Sequence, residues 1–175
     1  PTSTILRHRT ACTGDVSIAL GELSIASGVG SIALGSLRRT SADPEYIDPF
    51  SLGATASGNG SIAIGASVEA SGRNSVAIGG RAFIPANPRT DPPLINQSKT
   101  IASGTTAFAI GSGCVASGSN SFALGFYSRA TAARSFAMGY DCLASAANAF
   151  SQGTRNTTSG ESSFSVGADN TVSHS

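Results

Sequence analysis

SIAIGASVEASGRNSVAIG, residues 61–79, states nearly the same phrase twice, fourteen positions apart. The phrase runs through the chain: SIALG at 17–21 and 31–35, PFSLG at 49–53, SIAIG at 61–65, SVAIG at 75–79 and AFAIG at 107–111. SFALG at 121–125, SFAMG at 135–139, AFSQG at 149–153 and SFSVG at 163–167 complete the set, and from Ala107 onward the step is fourteen each time. A second phrase falls between the copies: ASG at 26–28, 56–58, 70–72, 102–104 and 116–118, relaxing to ATA at 130–132, ASA at 144–146 and TSG at 158–160. Self-similarity at a short fixed period is the mark of stacked repeats, so each unit reads as two short segments joined by two turns.

The first segment alternates with period two, which is strand logic. Its large apolar residues include Ile18, Ile32, Ile62, Ile64, Val76, Ile78, Phe108, Phe122, Phe136, Phe150 and Phe164, and these are assigned to the structural core. Ala or Ser holds the other side, which is assigned to contact with further subunits because small residues let foreign strands approach closely. The closing Gly suits a corner where φ must be positive or where a Cβ would clash. Helix is excluded by the recurring Gly and the i, i+2 spacing. The expected fold is therefore all-β, a solenoid of fourteen-residue coils. Like residues align on successive rungs at about 4.8 Å, which makes a rod on the order of 50 Å long. A fourteen-residue coil cannot wrap a self-sufficient core, so stability must come from neighbouring rungs and from other chains.

Composition narrows the classes. The 175 residues carry 21 Gly, no Trp, 12% charged residues and a formal net charge of +1. That charge does not mark a nucleic-acid partner. No apolar run approaches the roughly 20 residues of a membrane helix, so no membrane insertion is expected of this segment. His8 and His174 stand at opposite ends, no metal-ligand or phosphate-loop motif occurs, and the acidic residues are scattered. No enzyme, catalytic residue, metal or other cofactor is expected.

NSVAIG at 74–79 and NSFALG at 120–125, with ASG between copies, resemble the YadA-like head repeat of trimeric autotransporter adhesins. The resemblance covers roughly residues 11–173. It implies a left-handed parallel β-roll assembled as a homotrimer. It also implies an extracellular rod tip on a bacterial cell surface, attaching to a host surface glycoprotein, matrix protein or glycan. Family members tie a longer form, Asn-Ser-x-Ala-x-Gly-x-x-Ser, to collagen binding; this chain keeps it at Asn120, Ser121, Ala123, Gly125 and Ser128. The same residues also read as mere turn and ladder formers. NTVS at 170–173 resembles the start of the family's neck, but RNTTSG lies fourteen residues earlier and aligns with it, so one more rung is the expectation.

One β-roll head is expected over 11–175, after an N-terminal extension at 1–10, with insertions at 43–49 and 80–100. The second insertion holds four prolines, which cannot continue a ladder because they lack the N–H. Loops on a rigid scaffold often carry recognition, so Arg81, Phe83, Arg89 and Lys99 are candidate binding residues, with packing against a neighbouring subunit as the alternative. Arg38 and Arg39 beside Tyr46 and the acidic residues of the first insertion form either an anion-binding corner or an ion-pair patch. Gln152 is a polar residue in an apolar column and is left to meet water or its own copies.

Cys114 and Cys142 share one slot two rungs apart, roughly 9–10 Å along the axis, too far for a disulfide. Cys12 lies many rungs away, so three unpaired thiols are expected. Passengers that cross an oxidising compartment usually avoid cysteine, which favours an alternative reading: a fibre of a phage or contractile injection particle, folded in a reducing cytosol and acting in receptor binding. A remote alternative is an ice-binding solenoid. It rests on the hydroxyl column Ser57, Ser71, Ser103, Ser117, Thr131, Ser145 and Ser159, although Thr is scarce there.

Overall fold

The computed structural model describes residues 10–35, 39–40, 43–47, 53–80 and 99–173, with 39–40 and 43–47 described as backbone only. The chain winds as a parallel solenoid. Each coil places one strand in a nine-stranded sheet and one in a ten-stranded sheet. Phe122–Phe126 and Arg129–Ala130 are typical of the two. Register follows the sequence repeat without slippage: Phe108, Phe122, Phe136, Phe150 and Phe164 stand on successive rungs, as do Ala109, Ala123, Ala137, Ser151 and Ser165. Thr171–Val172 pairs with Thr157–Thr158, so the NTVS segment is a further rung.

Both insertions leave the ladder intact. Ile32–Leu34 pairs directly with Ile62–Gly65, and Val76–Gly80 with Phe108–Ser112. Around the first insertion the expected loop contains an antiparallel pair, Arg39–Thr40 against Asp43–Ile47.

The interior is the reverse of the sequence expectation. Four inward positions per coil carry Ala, Ser, Thr, Cys, Val or Asn, and nearly all are inaccessible to solvent. Ala33, Ala63, Ala77, Ala109, Ala123 and Ala137 form one such column; Ala56, Ala70, Ala102, Ala116, Ala130 and Ala144 form the facing one. The residues assigned to the core point the other way. Ile18 and Phe164 are 50% and 66% exposed in the single chain, and Ile32, Ile62, Ile64, Val76, Ile78, Phe122, Phe136 and Phe150 are half-buried. Phe108 is also exposed. Alternation separates two faces but does not say which is inside. The width of the coil decides: with so few residues per turn the two sheets leave room between them for nothing longer than Val, Thr or Asn, and not for Ile, Leu or Phe.

Three residues in each regular coil take positive φ. The closing Gly does so at Gly111, Gly125, Gly139, Gly153 and Gly167, with φ between 119° and 126°. A Cβ at Gly125 would lie 2.2 Å from the Gly139 carbonyl oxygen, inside any allowed contact. A second corner uses Asn74, Thr106, Asn120, Arg134, Asn148 and Ser162 at φ of 52–58°. Asn tolerates this left-handed conformation better than other side-chain-bearing residues, which explains its recurrence there.

Candidate functional site: the outer apolar face

The nine-stranded sheet turns a continuous apolar surface outward. Its first column is a stack of phenylalanine rings: Phe122, Phe136 and Phe150 have centroids 4.9 Å apart and lie within 4° of parallel. Phe108 and Phe164 extend the stack at 5.9 and 4.7 Å. Beside it run Leu20, Leu34, Ile64, Ile78, Ile110, Leu124, Met138, Gln152 and Val166. A sheet with one face on a core and the other in water should alternate apolar with polar; here the outward face is the more apolar of the two. An apolar face left outside the core makes this surface the candidate interaction site.

A smaller aromatic group lies past the Gly corner. The Phe126 and Tyr140 rings stack at 5.4 Å and 4°, and Tyr127 packs at 5.8 Å from Phe126. These three were not singled out from the sequence; the available signal was an aromatic directly after the closing Gly in two successive copies.

Of the motif residues Asn120, Ser121 and Ser128, only Asn120 reaches the surface of the coil. Ser121 and Ser128 are buried inside the coil. Ser128 Oγ donates to the Gly139 carbonyl at 3.0 Å, one member of a ladder in the same slot. Thr100 Oγ1 donates to Gly111 O at 3.0 Å, Cys114 Sγ to Gly125 O at 3.1 Å, Cys142 Sγ to Gly153 O at 3.2 Å and Asn156 Nδ2 to Gly167 O at 2.8 Å. From Thr100 onward the final Ser of the motif, or its counterpart in this slot, is thus a small buried donor that ties the Gly corner to the adjacent coil, whereas Ala54 and Val68 fill the same slot without donating. Asn120 is exposed at the left-handed corner, where its Oδ1 accepts from Thr106 Oγ1 at 2.7 Å.

Ser121 Oγ has no hydrogen-bond partner, and alanine already fills its slot at Ala107 and Ala149. Ser121→Ala is expected to change unfolding free energy by no more than about 0.5 kcal/mol, with any shift toward stability, read by denaturant titration.

The same ladder explains two of the cysteines. All three thiols are free, with Cys114 and Cys142 buried and Cys12 exposed. Burial pushes the Cys114 thiol above its ordinary value. A thiol reagent applied to the native protein is expected to label one cysteine quickly, Cys12, and the other two only after denaturation, as counted by mass spectrometry.

Of the remaining candidates, Lys99 pairs with Glu69 at 3.5 Å across adjacent rungs. Arg38, Arg81, Phe83 and Arg89 lie outside the described residues, and only the backbones of Arg39 and Tyr46 are described. The hydroxyl column from Ser57 to Ser159 lies along a solvent-facing corner, not on a flat face. No group of three or more His, Cys, Asp or Glu side chains is placed to hold a metal ion among the described residues. Nor is any described helix long and apolar enough to cross a membrane.

Arg155 and Asp169 make a two-point ion pair at 2.6 and 2.7 Å on successive rungs. The hydrogen bonds and charge of Arg155 hold the Asp169 carboxyl below its usual range. A depressed folded-state value means the pair stabilises at neutral pH and the contribution is lost as pH falls through that lowered value. Arg155→Ala is expected to flatten the acid limb of the stability profile between the ordinary carboxylate value and the lowered one, with a small effect because the pair is exposed.

Fold and surface together define a parallel β-solenoid of fourteen-residue coils with an alanine interior and an apolar exterior. The family described as YadA head domain repeat (2 copies) matches residues 13–37, 53–67, 69–82, 102–128 and 116–141, more than half of the chain. The chain belongs to this family of structural, adhesin-type head domains. A comparison with curated proteins found no match.

Proposed function

We propose that the chain is the head of a homotrimeric surface fibre, with three left-handed β-rolls packed side by side through their outer Ile, Leu and Phe columns. The carrying observation is the inversion of the coil: small residues fill the interior while the large apolar residues of nine rungs face outward. Burying that face against copies of the same chain supplies the apolar contact that a narrow alanine core lacks. In this reading the domain is a non-enzymatic, extracellular spacer and platform on a bacterial cell surface. It attaches to a host glycoprotein, matrix protein or glycan through residues that interrupt the repeat, including Arg81, Phe83, Arg89 and Lys99. The three free thiols favour a second reading, a particle-borne receptor-binding fibre with the same architecture.

Beads coated with the domain should be retained on cell monolayers and on matrix-coated surfaces, and a variant lacking residues 83–97 should lose that retention while keeping its native mass. Retention equal to that of uncoated beads on every surface would contradict the attachment role.

A further inference from the structure

A surface built from identical rungs has a registry problem. Sliding one copy along another by a single rung replaces Ile with Ile, Leu with Met or Phe with Phe, and apolar contact alone barely distinguishes the two alignments. Gln152 is the exception. It follows Leu124 and Met138 and precedes Val166, the sole polar side chain in that column among the described residues. Its backbone is fixed, with the carbonyl accepting from Asn156 Nδ2 at 2.6 Å and Gly153 closing the corner beside it. Its side chain is half-buried, and its amide makes no hydrogen bond among the described residues.

We infer that Gln152 sets the alignment of the assembled chains: copies of Gln152 meet on one level and hydrogen-bond to one another across the interface. A primary amide carries both donor and acceptor, so it complements its own copy, which no other residue of the column does. In the correct register every Gln152 amide finds a partner. After a slip of one rung each lies against Met138 or Val166 of a neighbouring copy, buried and unpaired. A single polar layer specifying register at some cost in stability is the device used by apolar coiled-coil seams. The inference rests on the trimeric reading above and names the residue that makes that assembly unique.

The test uses the full chain with Cys12→Ser. Two versions, one Leu124→Cys with a mass tag and one Met138→Cys without, are refolded together and oxidised. Each cysteine faces its own kind when the copies are level, whereas a 124–138 cross-link reports a one-rung slip. With Gln152 present, cross-links of the slipped kind should stay at background. With Gln152→Leu they should rise by at least about tenfold, since a slip no longer strands a buried amide, and the thermal midpoint should rise as well. Gln152→Asn should restore much of the alignment. Equal slipped fractions with Gln152 and with Leu overturn the inference while leaving the trimer standing. A monomeric mass of the unmodified chain removes the trimeric reading and the inference with it.

Discussion

Gly125→Ala is expected to lower the unfolding midpoint of the protein steeply. The substitution fails for two independent reasons. The backbone at Gly125 has φ of 119°, a conformation that side-chain-bearing residues scarcely adopt. The new methyl would also lie 2.2 Å from the carbonyl oxygen of Gly139, a backbone atom held by the ladder on both sides. Moving that carbonyl displaces the acceptor of Ser128 Oγ and passes the strain to the next rung. The combined cost exceeds about 4 kcal/mol, a large part of the roughly 5–15 kcal/mol of an ordinary domain. Circular dichroism of the purified variant checks this. A native β spectrum with an unshifted midpoint would show that the corner does not need glycine.

Ala137→Leu is expected to be nearly as damaging, although it is an apolar-for-apolar change in a protein with leucines at many rungs. Ala137 has no solvent exposure and stands between Ala123 and Ser151 in a column that faces Ala130 and Ala144 across the interior. Three extra carbons have nowhere to go between sheets spaced for methyl groups, so the coil must open and its paired strands separate. Overpacking typically costs about 1–3 kcal/mol and more where the surroundings cannot move; a parallel ladder held on both sides belongs to the second case. One position away, Phe136→Ala removes a much larger side chain from the outer face and should leave the coil of a single chain intact. Comparing the two variants by denaturant unfolding reads out directly which face is inside. If Phe136→Ala unfolded the coil and Ala137→Leu were tolerated, the assignment of faces would be reversed.

That assignment is also where sequence reasoning failed, and the reason is instructive. The fourteen-residue step, the strand in each repeat, the Gly corners and the continuation through Asn170–Ser173 were all legible, because each depends on local backbone chemistry repeated many times. The direction of the faces was not. Hydrophobicity ranks Ile62 and Phe122 above Ala63 and Ala123 as core residues, and in a wider coil that ranking would hold. Here the inter-sheet distance, a property of the closed coil rather than of any residue, excludes them. The same geometry explains why Ser121 and Ser128 looked like surface residues. A Ser in a motif suggests an exposed hydroxyl, yet this slot asks only for a small buried side chain: Thr100, Cys114, Ser128, Cys142 and Asn156 donate from it, while Ala54 and Val68 fill it without donating. That view also accounts for the two cysteines that share the slot, since Cys114 and Cys142 serve as weak donors to Gly125 and Gly153. The strand pair formed by Arg39–Thr40 and Asp43–Ile47 was illegible for a different reason: the break in period argued for a loop, and nothing repeated to correct that impression.

The account turns on whether the outer Ile, Leu and Phe columns are covered by copies of the same chain. The measurement that asks this most directly is the solution mass of the full chain by light scattering, with reductant present, alongside Phe136→Asp. The expected result is a particle of three times the 17.4 kDa chain mass for the unmodified protein, and a smaller particle with the same β spectrum for Phe136→Asp, whose buried carboxylates would oppose assembly without touching the interior. A single-chain mass for the unmodified protein would contradict the account.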